Sequence, residues 1–209
     1  MATKSPFIIG VNGSPHTDGI VYELLNAVME AAAKAGAETR IINLYELLMI
    51  PTPGNYSRDH ASETIENAPK DDITALYPEI LRSDALVLAT PVYWANMSAV
   101  MKNFIEHLTP LESDGFHLEG KLAAVIAASK ENEGGVEMAA MAMVAPLMQM
   151  GMLMPPNSVM WYPGQWMGGR TDYTDWAKRE APEVGRSMVE LISLLREHPI
   201  EWTHYEPGF

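Results

Sequence analysis

The sequence predicts an α/β fold: a three-layer sandwich whose five-stranded parallel sheet, in the order 2-1-3-4-5, carries helices on both faces. Three observations predict it. Short continuous apolar runs alternate with longer stretches in which apolar residues recur every three or four positions. The runs are apolar throughout rather than at every second residue, as strands buried on both faces require. Each helical stretch separates two such runs, so the connections are right-handed crossovers and the strands lie parallel. A chain of 209 residues suits one domain, spanning 1–209, with elaborated loops.

The elements follow in order. Phe7–Val11 (FIIGV) is the first strand. From Gly19 to Gly36 the spacing of Ile20, Val21, Leu24, Leu25, Val28, Met29 and Ala32 is helical. Glu38–Asn43 (ETRIIN) is the second strand, and the Pro-, Gly- and Asn-bearing stretch from Pro51 to Pro69 is a long loop. A helix starts at Asp71 or Asp72 and runs to about Arg82, before the third strand at Ala85–Ala89. Met97 to Leu108 is helical, with Met97, Val100, Met101, Phe104, Ile105 and Leu108 inward, and Leu122–Ala128 is the fourth strand. A helix from about Gly135 should kink or end at Pro146. The fifth strand falls at Ser158–Trp161, because Pro155 and Pro156 cannot serve a central ladder. Asp172–Glu197 is the last helix. Seven methionines between Met138 and Met154 read chiefly as core filling, with an adaptable dimer surface or a pocket lining as the other reading.

With this strand order, a ligand crevice opens between strands 1 and 3 at their carboxyl ends. Three loops converge there. Asn12-Gly13-Ser14-Pro15-His16-Thr17-Asp18-Gly19 leads into the first helix, where unpaired amides and small hydroxyl residues suit a phosphate. It is neither a Walker A sequence nor a G-x-G-x-x-G fingerprint, and an ordinary Gly/Pro turn reads the same way. Thr90-Pro91-Val92-Tyr93-Trp94-Ala95-Asn96-Met97-Ser98 sets two aromatics at a strand end, which suits a flat conjugated ring or plain packing. The third loop, Ser129-Lys130-Glu131-Asn132-Glu133-Gly134-Gly135, offers a glycine pair at a helix start.

Composition excludes several classes. Fourteen Lys and Arg against 27 Asp and Glu give a net charge of −13, which argues against nonspecific nucleic-acid binding. No apolar stretch reaches the roughly 18 residues of a membrane span, and MATKSPFIIGVNGS lacks signal-peptide architecture, so a cytoplasmic protein is expected. The N-x-S triplets at Asn12, Asn55 and Asn96 are then chance matches. The six histidines (His16, His60, His107, His117, His198 and His204) show no metal-ligand spacing and read as solvated or capping residues. Ser14 does not sit in a G-x-S-x-G elbow. The aromatic stretch Trp161–Arg170 reads as a loop that serves either as a lid or as part of a dimer interface.

Two motifs carry a family resemblance. Val11-Asn12-Gly13-Ser14-Pro15 before a helix, together with Ala89-Thr90-Pro91-Val92-Tyr93-Trp94 and Ser98-Ala99-Val100-Met101-Lys102-Asn103-Phe104-Ile105-Glu106, resembles the flavodoxin-like NAD(P)H-dependent FMN reductases. The likeness is strongest over residues 6 to 108 and extends to about 150. It is closer still to the iron–sulfur flavoprotein branch, in which a cysteine cluster follows Ile-Pro; here the stretch reads Ile50-Pro51-Thr52-Pro53-Gly54-Asn55. The resemblance implies a flavodoxin-like sandwich, FMN as cofactor, NAD(P)H as donor, a quinone-like or other small acceptor, and a homodimer or homotetramer. It places Ser14, His16, Thr17, Asp18, Gly19 and Ile20 at the phosphate. Pro91, Val92, Tyr93, Trp94 and Asn96 fall at the ring, with Ser129, Gly134 and Gly135 beside it. No dedicated catalytic residue or metal ligand is implied, since FMN carries the chemistry.

The chain departs from the family at Ile20 and Val21, where side-chain donors are usual, leaving Ser14, His16, Thr17 and backbone amides to hold the phosphate. Two other readings stand beside the reductase: a non-enzymatic electron carrier, which the acidity suits, and a flavin-free binding or scaffold protein, for which Ile20 and Val21 speak. A chain with no cysteine cannot supply thiolates to an iron–sulfur cluster. Anaerobically prepared protein should therefore contain neither iron nor acid-labile sulfide; stoichiometric amounts of both would overturn this expectation.

Overall fold

The structure, a computed structural model, describes residues 4–51, 64–129, 135–162 and 173–201, with side chains from Trp176 onward in the last segment. The predicted long loop falls largely outside the described residues, as do Gly134 and most of the Trp161–Arg170 stretch.

Five parallel strands lie in the order β2-β1-β3-β4-β5. They are β1 Phe7–Asn12, β2 Glu38–Asn43, β3 Ala85–Pro91, β4 Leu122–Ala128 and β5 Val159–Tyr162. Every residue of β1 and β4 is buried, as is β3 up to Thr90. That is the reason these segments read as unbroken apolar runs: both faces of a central parallel strand are covered. The edge strands β2 and β5 keep exposed positions.

On one face lie α1 (Ile20–Lys34) and α7 (Tyr173–Glu197), with Leu24, Leu25, Val28, Val184 and Met188 packed on Ile8, Val87 and Ala124. The two helices touch at Gly185, where a Cβ would come within 2.2 Å of the Val28 carbonyl oxygen. The other face carries α2 (Asp72–Ala75), α3 (Tyr77–Arg82), α4 (Ala99–His107), α5 (Thr109–Ser113) and α6 (Val136–Gln149). Among the described residues no helix is long and apolar enough to cross a membrane.

Several details differ from the sequence expectations. The single helix expected from Asp71 to Arg82 is two: α2 ends at Ala75, and α3 begins with Pro78 in its first turn. Proline is tolerated there because first-turn amides have no helical partner to lose. Pro146, by contrast, neither ends nor interrupts α6, and the Met150 amide still bonds the Pro146 carbonyl at 2.9 Å. The Ala142 carbonyl loses its helical donor there, because proline has no N–H to give. β5 ends at Tyr162 rather than Trp161. The methionines divide: Met143 and Met152 are buried, whereas Met138, Met141 and Met148 are exposed. They are therefore not uniformly core.

His107 corrects the reading of the histidines as solvated or capping. It is fully buried, with Nδ1 at 2.7 Å from the Asn103 carbonyl and Nε2 at 2.9 Å from Asp71 Oδ2. Asp71 caps α2 through Ile73 and Thr74 and also accepts the Ile50 amide at 2.9 Å. The pair thus joins the end of α4, the start of α2 and the segment after β2. Burial pushes the Asp71 carboxyl up, but the amides of Ile50 and Thr74 and the His107 ring outweigh it, and the net displacement is downward. A depressed carboxyl stabilises the fold above its unfolded value, about 3.9. That stabilisation is lost as pH falls through the folded value. Weakening a buried hydrogen-bond acceptor of this kind costs about 1–3 kcal/mol. Asp71→Asn should therefore be less stable than the parent by roughly that amount at pH 7, with the gap closing in acid. Denaturant titrations between neutral pH and pH 3 test this, and a gap that stays constant would contradict it.

Candidate functional site

β1 and β3 pair for the last time at Asn12 and Ala89, and beyond them the chain leaves in opposite directions. The junction is closed by hydrogen bonds. Gly13 N–H donates to the Ala89 carbonyl at 2.7 Å, and the Gly13 carbonyl accepts Ser98 Oγ–H at 2.8 Å. The Ser98 amide in turn donates to Thr90 Oγ1 at 2.9 Å, with Thr90 and Ser98 both buried. A Cβ at Gly13 would stand 3.0 Å from Met101 Cε and 3.1 Å from Ser98 Oγ. Glycine here lets the loop lie against α4.

The first loop rises from this junction. Ser14 is buried, and its Oγ accepts the His16 amide at 3.2 Å; Pro15, His16, Thr17 and Asp18 are exposed. Gly19 is the N-cap of α1 and offers no side-chain cap, and the first intrahelical bond runs from Glu23 N–H to the Gly19 carbonyl. The amides of Ile20, Val21 and Tyr22 therefore lack helical partners. Ile20 is half-exposed, while the Val21 side chain is buried in the core below. One turn in, Glu23 is paired with Lys178 at 2.9 Å.

The second loop is a tight turn. Tyr93 and Asn96 exchange two backbone hydrogen bonds, at 2.9 and 3.0 Å, around Trp94 (φ 51°) and Ala95 (φ 57°). Positive φ at both central residues normally selects Asn-Gly, and for side chains with a Cβ it costs about 1–2 kcal/mol per residue. Trp94 is wholly solvent-exposed and Tyr93 is 46% exposed. Val92 N–H reaches the Ala128 carbonyl at 3.2 Å, Pro91 closes β3, and Asn96 Oδ1 accepts the Met97 amide at 2.8 Å. Asn96 thus spends its acceptor locally.

The third loop meets the second. Gly135, at φ 85°, packs so closely that a Cβ would lie 2.5 Å from Ala95 Cβ. Ser129 N–H bonds the Tyr162 carbonyl at 3.0 Å. The described residues singled out in the sequence thus gather at one edge of the sheet.

Sequence reasoning missed three residues there. Tyr45, in the 3-10 turn Leu44–Glu46, is about half exposed, and burial together with its neighbour Tyr93 pushes its phenol up. Asn12 and Asn43 bond each other beneath the first loop. Tyr45 stands two positions past its strand, as Tyr93 does past β3, and with strands 2 and 3 flanking strand 1 that shared spacing was the signal that could have found it. At the opposite edge a cleft of about 270 Å³ runs between Lys121 and Arg196. Lys121 Nζ donates to the Leu81 and Ser83 carbonyls, and Arg196 holds both Asp84 oxygens at 2.8 Å. Those charges are already engaged. Among the described residues no three His, Asp or Glu side chains are placed to hold a metal ion.

The family model for NADPH-dependent FMN reductase matches residues 6–166. The chain belongs to that family. It is 29% identical over 131 residues to an iron–sulfur flavoprotein of Methanocaldococcus jannaschii, a match covering 62% of this chain and 65% of that protein. The chain thus spans just under two thirds of that relative. With an NAD(P)H dehydrogenase (quinone) of Archaeoglobus fulgidus it shares 27% identity over 187 residues, 86% of this chain and 92% of the relative. The crystal structure of RosB with bound 8-demethyl-8-formylriboflavin-5'-phosphate superposes with a TM-score of 0.73 at 19% identity, covering 94% of this chain and 82% of that one. These confirm the flavodoxin-like sandwich.

FMN is the group the family name implies, and the residues present fit it. Its phosphate needs several donors, and the uncapped start of α1 offers amides in a row with the Ser14 hydroxyl beside them. A flat ring needs open aromatic surface, which Tyr93 and Trp94 supply. The turn that presents them depends on Gly135. Gly135→Ala should destabilise the protein by about 1–3 kcal/mol, because the added Cβ would meet the Ala95 backbone Cα at 2.6 Å as well as its Cβ at 2.5 Å. Denaturant midpoints of the variant and the parent test this, and an unchanged midpoint would contradict it.

Proposed function

We propose that the protein is an FMN-dependent NAD(P)H oxidoreductase that delivers electrons to a quinone-like or other small acceptor. The observation that carries this is the single edge of the sheet where an uncapped helix start, a strained aromatic turn and Gly135 meet, in a chain of this family. When bound, FMN supplies the redox chemistry, taking hydride from the nicotinamide and passing electrons on. On this reading Ser14 and the amides from Thr17 to Ile20 hold the phosphate, with His16 and Asp18 at the rim. Pro91, Val92, Tyr93, Trp94 and Asn96 border the ring, and Ser129, Gly134 and Gly135 bound its other side.

The protein's share of catalysis is positional. Its residues bind and orient the reactants rather than shuttle a proton. Val21 points into the core, so only its amide serves the phosphate. A non-enzymatic electron carrier, which the acidity of this chain suits, would need the same cofactor site. On the same reading the protein works in the cytoplasm as a homodimer or homotetramer.

Anaerobic mixing of the FMN-loaded protein with NADPH, and separately with NADH, tests the proposal. Rapid bleaching of the flavin absorbance is expected with at least one donor, followed by recovery on adding a quinone. Bound flavin that neither donor bleaches would make the protein a carrier, and failure to bind FMN would make it a scaffold. Trp94→Ala should also remove much of the tryptophan quench on FMN binding. An unchanged quench would place Trp94 away from the ring.

A further inference from the structure

Asn12 closes β1 with a fully buried side chain, although its neighbours in the strand are apolar. A buried amide must satisfy both ends or it destabilises the fold. Here both are satisfied by the first loop and by β2. Oδ1 accepts the Ser14 amide at 3.0 Å; Nδ2 donates to the Ser14 carbonyl and to Asn43 Oδ1, each at 3.2 Å, and lies 3.5 Å from the His16 carbonyl. The amide orientation is dictated by these partners, because only Oδ1 can face an N–H and only Nδ2 can face carbonyls. Asn43, which pairs with Asn12 across the β1–β2 ladder, then turns its own Nδ2 to Glu46 Oε1 at 3.1 Å. The result is a directional chain from Glu46 through Asn43 and Asn12 to both backbone groups of Ser14.

We propose that Asn12 and Asn43 are positioning residues for the FMN phosphate. Through them the carboxyl end of β2 sets the shape of the first loop, and with it the preference for FMN over riboflavin. This rests on the reading that FMN binds at that loop. Neither asparagine needs to touch the cofactor. With its N–H and C=O both held by Asn12, Ser14 cannot turn its backbone toward the crevice, and its Oγ is left at the base of the loop, bonded to the His16 amide. The loop is thus organised before ligand arrives, and the ordering cost of binding falls. Riboflavin lacks the phosphate and gains nothing from this order. An aspartate at position 12 would keep the acceptor for Ser14 N–H. It would place a carboxylate against the Ser14 carbonyl and Asn43 Oδ1, and near an incoming dianion.

The test compares FMN and riboflavin binding to the apoprotein by flavin-fluorescence titration, with circular dichroism and thermal midpoints recorded for every variant. Asn12→Ala should weaken FMN by about thirtyfold, as for two modest hydrogen bonds lost, while riboflavin changes by no more than about threefold. Asn12→Asp should weaken FMN at least as much. Asn43→Ala removes one acceptor at a half-buried position and should weaken FMN by about fivefold with a native thermal midpoint. It keeps the test valid if the position-12 variants fold poorly. If FMN and riboflavin weaken together, or if FMN affinity is unchanged in Asn43→Ala and Asn12→Ala alike, the inference is overturned and the FMN reading survives. If the parent protein binds riboflavin as tightly as FMN, or binds neither, the FMN reading itself fails.

Discussion

The hydrogen bond from Ser98 Oγ to the Gly13 carbonyl, 2.8 Å long and buried, joins parts of the chain 85 residues apart. β1 and β3 part company just below it, and the sheet must release two loops in opposite directions without leaving buried backbone groups unpaired. Ser98 resolves this by serving twice. Its hydroxyl donates to the first loop, and it also caps α4 by accepting the Met101 amide. Its own amide is fixed by Thr90. The position of the first loop, the start of α4 and the exit of the aromatic turn all follow from this one junction. Gly13 allows it because any side chain there would press on Met101 and Ser98.

Two of the four described non-glycine residues at positive φ, Trp94 and Ala95, lie at the same edge, the others being Phe116 and Asn157. Trp94 and Ala95 occupy left-handed backbone, which residues with side chains rarely adopt, and they are held there by the Tyr93–Asn96 bond pair and by Gly135. Strain of this kind persists only where surrounding contacts over-determine it, and it gathers at ligand sites. The protein carries −13, and no lysine or arginine lies within the first loop, so any attraction for an anion at that loop has to come from its oriented amides. Lys178, on α7, does not alter this, since its charge is paired with Glu23 one turn into α1. At the opposite edge the charges of Lys121, Asp84 and Arg196 are tied to one another and to carbonyls, which leaves that cleft as a seam of the fold.

Much of this was legible in the sequence because parallel central strands betray themselves. ETRIIN and LAAVIAA begin and end where their strands do, and alternating strands and helices point to parallel crossovers. Features governed by local chemistry alone were legible too: the two aromatics after β3, and the glycines around them. What escaped needed distance in the chain to be known. Asp71 and His107 are 36 residues apart and look like a surface cap and a surface histidine until the fold brings them together. Asn12 and Asn43 are 31 apart and meet only through strand register. Pro146 was expected to kink or end its helix, and α6 continues past it to Gln149.

A crystal structure of the protein with FMN tests the account at its centre. The account predicts the phosphate at the start of α1, within hydrogen-bonding distance of the Ser14 hydroxyl and of amides between Thr17 and Val21, with the ring lying along Tyr93 and Trp94. A phosphate bound anywhere else, whether in the cleft between Lys121 and Arg196 or on the outer surface of α6, would contradict it.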